Sequence, residues 1–225
     1  MLFRSASYSN STDVSGANRH RERARRKNRL ETVPEVFIIE SLDLGDERKA
    51  RREGEVLASV LRMCGKRPLY YYIRTRAELE LMARLFYASN YRYLHISCHG
   101  GKSSLSTTLD VVDYEEFAAI FAGRLKNRRL FVSASSAGNA KFAKSVRSQN
   151  MGIISVAAPA KYIQFDHAVA FWSSFYVKTF STNTRAMSSD RIAGVLRPLA
   201  TLFGEPMHLS RKDRSGKWIH GVIGS

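Results

Sequence analysis

Hydrophobic positions along the chain form two patterns: short runs rich in β-branched and aromatic residues, and longer stretches with helical spacing. Consecutive apolar residues bounded by polar or glycine positions are typical of strands buried on both faces of a parallel sheet. The runs predict strands at EVFIIES (35–41), PLYYYIR (68–74), YRYLHISCHG (91–100), RRLFVSAS (128–135) and GIISVAAP (152–159). This pattern first becomes regular after Pro34.

The segments between these runs carry apolar residues at helical spacing. We predict helices over 46–64, 78–89, 114–125, a segment ending near 148, 167–180 and 189–203. The alternating segment within 101–113 predicts a small hairpin, and the C-terminal segment predicts another that turns at Arg214-Ser215-Gly216. Alternating strands and helices with short connections predict an α/β fold of three layers, with a mostly parallel central sheet flanked by helices.

The first thirty residues differ from the rest of the chain. Residues 1–30 are rich in serine and asparagine, then in arginine, and lack apolar periodicity, so we predict a disordered basic tail before a folded domain at 31–225. The run Arg19–Arg29 contributes part of the net charge of +16. It could make a weak contact with nucleic acid, because clustered arginines displace counterions from phosphates, or it could be a solvated arm.

Composition narrows the function classes further. No run of about eighteen apolar residues occurs, and the N-terminal residues lack the pattern of a secretory signal, so no membrane span is expected. Cys64 and Cys98 are the two cysteines, which is too few for a thiolate metal site and is typical of a reducing compartment. We therefore expect a cytoplasmic protein with no metal and no cofactor.

Two predicted strand ends carry unusual chemistry. His99 follows a strand and precedes Gly100-Gly101, where an imidazole can project into a cleft and transfer protons near neutral pH. The segment FVSASSAGN follows another strand with small residues and Gly138, which predicts a tight turn with backbone N–H groups facing outward. Ligands and catalytic groups collect beyond the carboxyl ends of strands in such sheets. A simple turn and tight packing are the alternatives at these two places.

The order of these pieces resembles the CHAT and separase-related branch of the caspase-like cysteine peptidases. The resemblance covers roughly residues 35 to 180 and is carried by YLHISCHG, SLSTTLDVVDYEEFAAIFAGRLKNRRLFVSASSAG and GIISVAAPAKYIQFDHAVAFWSSFY. It implies a caspase-like fold in which His99 is the general acid and base and Ser135 stands where the family has its nucleophilic cysteine. The N–H groups of Gly100 and Ser135 would form the oxyanion hole.

Ser135 is the departure from the family pattern. A thiol is partly ionised near neutral pH, whereas a serine hydroxyl needs strong help from a base, so activity should be mostly lost. Three interpretations stay open: an engineered replacement of cysteine, a natural pseudoprotease, or a working serine nucleophile. Cys98 is not expected to substitute, because neighbouring residues on a strand face opposite sides and Cys98 then points into the core.

Acidic residues near the predicted site bear on specificity. By resemblance, Asp166 would line the S1 pocket and pair with an Arg or Lys at P1, and Asp110 is a second, weaker candidate for the same pocket. Asp166 could instead, or in addition, act as a helix N-cap. His95, four residues before His99 on the same strand, could line the cleft floor or be a hydrogen-bonded core histidine.

The sequence leaves two main candidate functions. The first is an endopeptidase that cleaves protein substrates after a basic residue, or an inactive version of one. The second is a protein-interaction module with a dead site. A nucleotide-binding domain is disfavoured because no glycine-rich phosphate motif occurs. By resemblance, a regulatory or sensor protein partner and a role in bacterial antiviral defence or cell death are expected.

Overall fold

The computed structural model describes residues 32–182, 187–213 and 215–224. The predicted basic tail with Arg19–Arg29 lies outside the described residues, and so does Arg214 of the predicted C-terminal turn. Within the described part of the chain, no helix is both long and apolar enough to cross a bilayer.

Seven strands form the central sheet, in the order β10-β9-β8-β7-β3-β1-β2. They are β1 (Val33–Glu40), β2 (Leu69–Tyr72), β3 (Tyr91–Ser97), β7 (Arg129–Ser133), β8 (Ser155–Pro159), β9 (Met207–Lys212) and β10 (Trp218–Ile223). Neighbours from β2 to β8 pair in parallel, while β9 and β10 add an antiparallel edge. A second, small sheet is formed by β4 (His99–Gly100), β5 (Ser104–Ser106) and β6 (Val111–Asp113).

Seven helices accompany these strands in the described residues. They are α1 (Leu44–Arg48), α2 (Glu53–Met63), α3 (Arg76–Ser89), α4 (Tyr114–Ile120), α5 (Ala140–Gln149), α6 (Phe165–Thr182) and α7 (Ser189–Phe203). Polar side chains cap several of them: Thr75 and Glu78 form a capping box at the start of α3, and Ser188 caps α7.

The helices pack on both faces of the sheet. Phe37 and Ile39 of β1 lie in one core with residues of α3, α4 and α5, whereas Val36 and Ile38 lie in a second core with residues of α2, α6 and α7. Successive side chains on a strand point to opposite faces, so a strand that is apolar throughout serves both cores. The predicted three-layer α/β fold with a mostly parallel central sheet is confirmed. The aromatic face of α6 (Phe171, Trp172, Phe175 and Tyr176) is buried, as its spacing predicts.

The predicted helix over 46–64 is wrong in one respect, because it consists of two helices. α1 ends at Arg48 and α2 begins at Glu53, and between them Ala50 has a φ of 51°, in the left-handed region. The break lets α2 start against the sheet: the N–H of Gly54 donates to Oε1 of Glu40 at 2.8 Å. A Cβ on Gly54 would lie 3.0 Å from the Ile38 side chain, so the helix packs closely there.

Candidate active site

The two strand ends that the sequence singles out lie next to each other. β3 and β7 are neighbouring parallel strands in which Ser97 pairs with Ser133, and His99 and Ser135 each follow two residues later. Gly100 packs directly on the second segment: a Cβ placed there would lie 2.8 Å from Cβ of Ala134 and 3.2 Å from the carbonyl oxygen of Ser135. The His-Gly segment therefore rests on the chain that carries Ser135.

His99 faces two carboxylates at the start of α1, those of its N-cap residue Asp43 and of Asp46. Its side chain is 49% exposed, and Nε2 lies 3.0 Å from Oδ2 of Asp46 and 3.4 Å from Oδ2 of Asp43. Asp43 also caps α1 by accepting the Asp46 N–H at 2.7 Å. This hydrogen bond, with a smaller contribution from the nearby His99, lowers the pKa of Asp43. Ligand atoms of the three residues lie within 4.8 Å of one another, close enough to hold a metal ion, although hydrogen bonding accounts for the same arrangement.

Ser135 is held by the segment that follows β8. Its Oγ accepts the N–H of Ile163 at 3.2 Å and lies 3.5 Å from the Ile163 carbonyl oxygen. The next residue, Ser136, has a φ of 60°, and its N–H donates to the carbonyl of Lys161 at 2.9 Å. Position 138 has no room for a side chain, since a Cβ on Gly138 would lie 2.2 Å from the carbonyl oxygen of Ala158. The turn is thus anchored to the segment that follows β8.

The N–H groups of this turn are mostly used within the protein. Those of Ser136, Ala137 and Gly138 donate to backbone carbonyls, and the side chain of Asn139 accepts the N–H of Phe142 at the start of α5. The N–H of Ser135 makes no hydrogen bond with any described residue. A phosphate cradle needs several free donors, whereas an oxyanion needs one or two, so the turn suits an oxyanion better.

A buried polar network lies beneath the two strand ends. Oε2 of Glu53 accepts hydrogen bonds of 2.9 Å from the hydroxyls of Ser97 and Ser133. Oε1 of Glu53 lies 3.7 Å from Nε2 of His95, whose Nδ1 is 3.0 Å from the hydroxyl of Tyr176. His95 is fully buried, which makes it a hydrogen-bonded core histidine and not part of an open cleft floor.

Glu40 lies beside this network at the carboxyl end of β1. Burial raises its pKa to about 7, although hydrogen bonds from the Tyr70 hydroxyl and the Gly54 N–H act in the opposite direction. The nearby Glu53 raises the pKa further. The site therefore has a floor with two buried carboxyl groups, both contributed by residues outside the predicted catalytic set.

The two predicted specificity residues differ in how they are placed. Asp166 is exposed in the first turn of α6, three residues beyond Ile163, and its carboxylate contacts only the N–H of His167 among the described residues. It is not the N-cap, because the helix begins before it, at Phe165. Asp110 instead uses its carboxylate to accept the N–H of Arg76 at 2.7 Å, at the start of α3.

A chain of contacts links His99 to the segment that bears Asp166. Oδ1 of Asp46 forms an ion pair of 3.2 Å with Arg51, and the Arg51 guanidinium lies 5.8 Å from the ring centroid of Phe165. Phe165 directly precedes Asp166, so these contacts connect His99 to the start of the helix that carries Asp166.

The two cysteines lie outside this arrangement. Cys98 lines a small apolar cavity between the sheet and the β5–β6 hairpin, and burial raises its pKa to about 12. Burial also raises the pKa of Cys64, the C-cap residue that directly follows α2. Neither thiol has the electropositive setting that favours a reactive thiolate.

Sequence reasoning missed four acidic residues of the site, which are Glu40, Asp43, Asp46 and Glu53. Asp43 and Asp46 follow the carboxyl end of β1, so the rule that led to His99 and to the turn carrying Ser135 could also have found them. Glu53 offers no comparable signal, because an acidic residue at the start of a helix is ordinary and exposed in most proteins.

Together, the fold and site define a three-layer α/β protein with a histidine and a serine at adjacent carboxyl ends of parallel strands. No protein-family model and no curated protein matches the chain. Among solved structures, caspase-1 from Spodoptera frugiperda is similar at 12% sequence identity and a TM-score of 0.49. The match covers 76% of this chain and 79% of that chain.

Proposed function

We propose that this protein is a caspase-like endopeptidase of the CHAT kind, with His99 and position 135 as its catalytic pair. It would cut protein substrates after a basic P1 residue, with activity impaired or absent because Ser135 occupies the cysteine position. The observation that carries the proposal is the packing of Gly100 on Ala134 and Ser135, since a side chain at position 100 would force the two segments apart.

The chemistry requires a proton acceptor, a nucleophile and a donor for the oxyanion. His99 takes the proton from the side chain at position 135 and later gives it to the leaving amine. The side chain at position 135 attacks the substrate carbonyl carbon, and the N–H of Ser135 is free to donate to the oxygen that becomes negative. A hydroxyl is a far weaker nucleophile here than a thiolate, because almost none of it is ionised near neutral pH.

Asp166 supports the basic P1 preference better than Asp110 does. Its carboxylate is exposed beside the segment that holds Ser135, whereas the Asp110 carboxylate already accepts the backbone N–H of Arg76. We therefore assign the S1 role to Asp166 within this proposal and leave Asp110 a role in joining the hairpin to α3.

The test is Ser135→Cys, assayed with fluorogenic peptides bearing Arg, Lys, Asp or Leu at P1. We expect cleavage of the basic peptides and labelling of residue 135 by a cysteine-directed peptide warhead. The double variant Ser135→Cys/His99→Ala is the control and should lose both. If the Ser135→Cys protein neither cleaves nor labels, the peptidase proposal is wrong.

A natural pseudoprotease is the second candidate. The hydroxyl of Ser135 is hydrogen-bonded to the Ile163 backbone, which suits a stable surface as well as a catalyst. In that case the protein would bind a regulatory or sensor partner in the cytoplasm, in a defence or cell-death system, without cleaving it. An unchanged affinity for such a partner in His99→Ala, together with an inactive Ser135→Cys variant, would favour this function.

The basic run Arg19–Arg29 has a proposed role of its own, a weak contact with nucleic acid. Deleting residues 1–30 should weaken any binding of single-stranded or duplex DNA that is sensitive to added salt, and unchanged binding would contradict this role. Binding that survives the deletion would place the contact in the folded domain.

A further inference from the structure

We propose that Asp46 positions the imidazole of His99, so that the site works as a histidine held by a carboxylate and not as a histidine alone. This inference rests on the proposed peptidase function for its catalytic part. The geometry points to it directly: Nε2 of His99 and Oδ2 of Asp46 are 3.0 Å apart, although the two residues are 53 positions apart in the chain.

Asp46 is better fixed for this role than its neighbour Asp43. The side chain of Asp46 is 14% exposed, whereas that of Asp43 is 60% exposed. Oδ2 of Asp46 also lies closer to Nε2 of His99 than Oδ2 of Asp43 does. Two other contacts fix Asp46: its backbone N–H donates a hydrogen bond to the Asp43 carboxylate, and its Oδ1 forms an ion pair with Arg51. A carboxylate held in this way keeps its orientation, while Asp43 is engaged in capping α1.

The contact determines which ring nitrogen carries the proton. A carboxylate only accepts hydrogen bonds, so the neutral imidazole must place its hydrogen on Nε2 and its lone pair on Nδ1. Among the described residues, Nδ1 of His99 makes no hydrogen bond. It is therefore the atom available to take the proton from the side chain at position 135.

The proton balance follows from this arrangement. Nδ1 takes the proton of the nucleophile, the ring becomes an imidazolium with two N–H groups, and the carboxylate of Asp46 stabilises that charge without accepting the proton. Nδ1 then releases the proton to the leaving amine. The main chain on either side of the ring is held separately, because His99 and Gly100 pair with Ser106 and Leu105 of β5.

The primary test is the tautomer of His99, read from side-chain nitrogen chemical shifts of the 15N-labelled full chain at a pH where the ring is neutral. We expect the parent protein to show a single tautomer with hydrogen on Nε2. Asp46→Ala should show the mixed tautomers of an unrestrained imidazole. The matched control Asp43→Asn removes the neighbouring negative charge but keeps a side-chain oxygen that can cap α1 and hold the Asp46 N–H, so it should keep the single tautomer. His99→Gln assigns the signals.

The catalytic part is tested in the Ser135→Cys background. We expect Asp46→Ala to lower kcat about tenfold, the effect of losing one charge-assisted hydrogen bond, with KM unchanged. A purely structural role would change the amount of folded protein but not the tautomer. If the His99 signals of Asp46→Ala match the parent, the inference is wrong. A changed tautomer with unchanged kcat overturns its catalytic part.

These results also separate the two proposals. If the Ser135→Cys protein is inactive but its His99 tautomer depends on Asp46, the peptidase proposal fails and the positioning of the ring by Asp46 stands.

Discussion

Ser97 and Ser133 lie side by side on neighbouring parallel strands, and their hydroxyl groups donate to the same carboxylate oxygen at 2.9 Å each. The acceptor belongs to Glu53, the first residue of α2, whose side chain is 5% exposed. His99 lies two residues after Ser97, and Ser135 lies two residues after Ser133. This buried carboxylate therefore joins the two strands directly before the residues of the candidate site.

Removal of this carboxylate should destabilise the fold. In Glu53→Ala two buried serine hydroxyls lose their acceptor, so we expect the free energy of unfolding to fall by about 2–3 kcal/mol. Glu55→Ala is the matched control, because Glu55 lies in the same helix turn with a side chain 62% exposed. Its effect should stay within about 0.5 kcal/mol. Urea unfolding followed by circular dichroism measures both, and equal effects would contradict the role of Glu53.

Glu40 should make the stability of the protein depend on pH. Its pKa in the folded protein is about 7, above the value of 4.5 expected for an unperturbed glutamate, because burial disfavours the charged form. Between these two values the folded protein binds a proton that the unfolded chain has released, so this contribution to stability is present at acidic pH and is lost as the pH rises through about 7.

The variant Glu40→Gln mimics the protonated side chain and should remove this dependence. The quantity to compare is the free energy of unfolding of Glu40→Gln minus that of the parent. We expect this difference to be larger at about pH 8 than at about pH 5, by up to about 3 kcal/mol. Urea unfolding at both values measures the difference, with the exposed Glu55→Gln as the control. A difference between parent and Glu40→Gln that is the same at both values would contradict the prediction.

Position 100 should tolerate no side chain. In Gly100→Ala the new Cβ would lie 2.8 Å from Cβ of Ala134, so one of the two segments must move. We expect a loss of stability of about 1–3 kcal/mol and a lower kcat in the Ser135→Cys background. Gly101→Ala is the control, since nothing lies within 4 Å of a Cβ there. Thermal unfolding and the peptide assay give both results, and equal behaviour of the two variants would refute the close packing.

The S1 role of Asp166 predicts a change in specificity and not in stability. In the Ser135→Cys background, Asp166→Ala should lower kcat/KM for P1 Arg and Lys peptides about tenfold and leave that for P1 Leu unchanged. Asp190→Ala is the matched control, because Asp190 also lies in the first turn of a helix. An Arg preference that persists in Asp166→Ala would show that another residue forms the pocket.

Cys98 should be unreactive even though it is adjacent to His99. Its pKa is raised to about 12 by burial, so almost no thiolate forms near neutral pH. In the Ser135→Cys protein we expect iodoacetamide to modify residue 135 well before Cys98, as measured by mass spectrometry of peptides. The urea-unfolded chain is the control, in which all three thiols should react alike. Rapid modification of Cys98 in the folded protein would contradict the raised pKa of its thiol.

Local patterns in the sequence determined the layered α/β fold and the two strand ends of interest. A strand buried on both faces must be apolar at consecutive positions, as β1 and β7 are, and this signal does not depend on the rest of the chain. The same reasoning located His99 and the FVSASSAGN turn, because polar and glycine residues directly after such strands lie at the edge where sites form, and the family resemblance then selected Ser135 within that turn. The boundaries of α7 were also predicted to the residue.

Only the tertiary structure decided what these residues contact. Asp46 reaches His99 across 53 positions of sequence and Glu53 reaches Ser133 across 80, through the order of strands in the sheet and the break between α1 and α2. Neither these long-range contacts nor the break between α1 and α2 can be recognised from a local sequence pattern. The segment around Ala50 was predicted as part of one continuous helix, and the identity of an acidic residue does not reveal whether it lies in a loop or in a core. The sequence therefore determines where the candidate site lies, and long-range packing determines which carboxylates surround it.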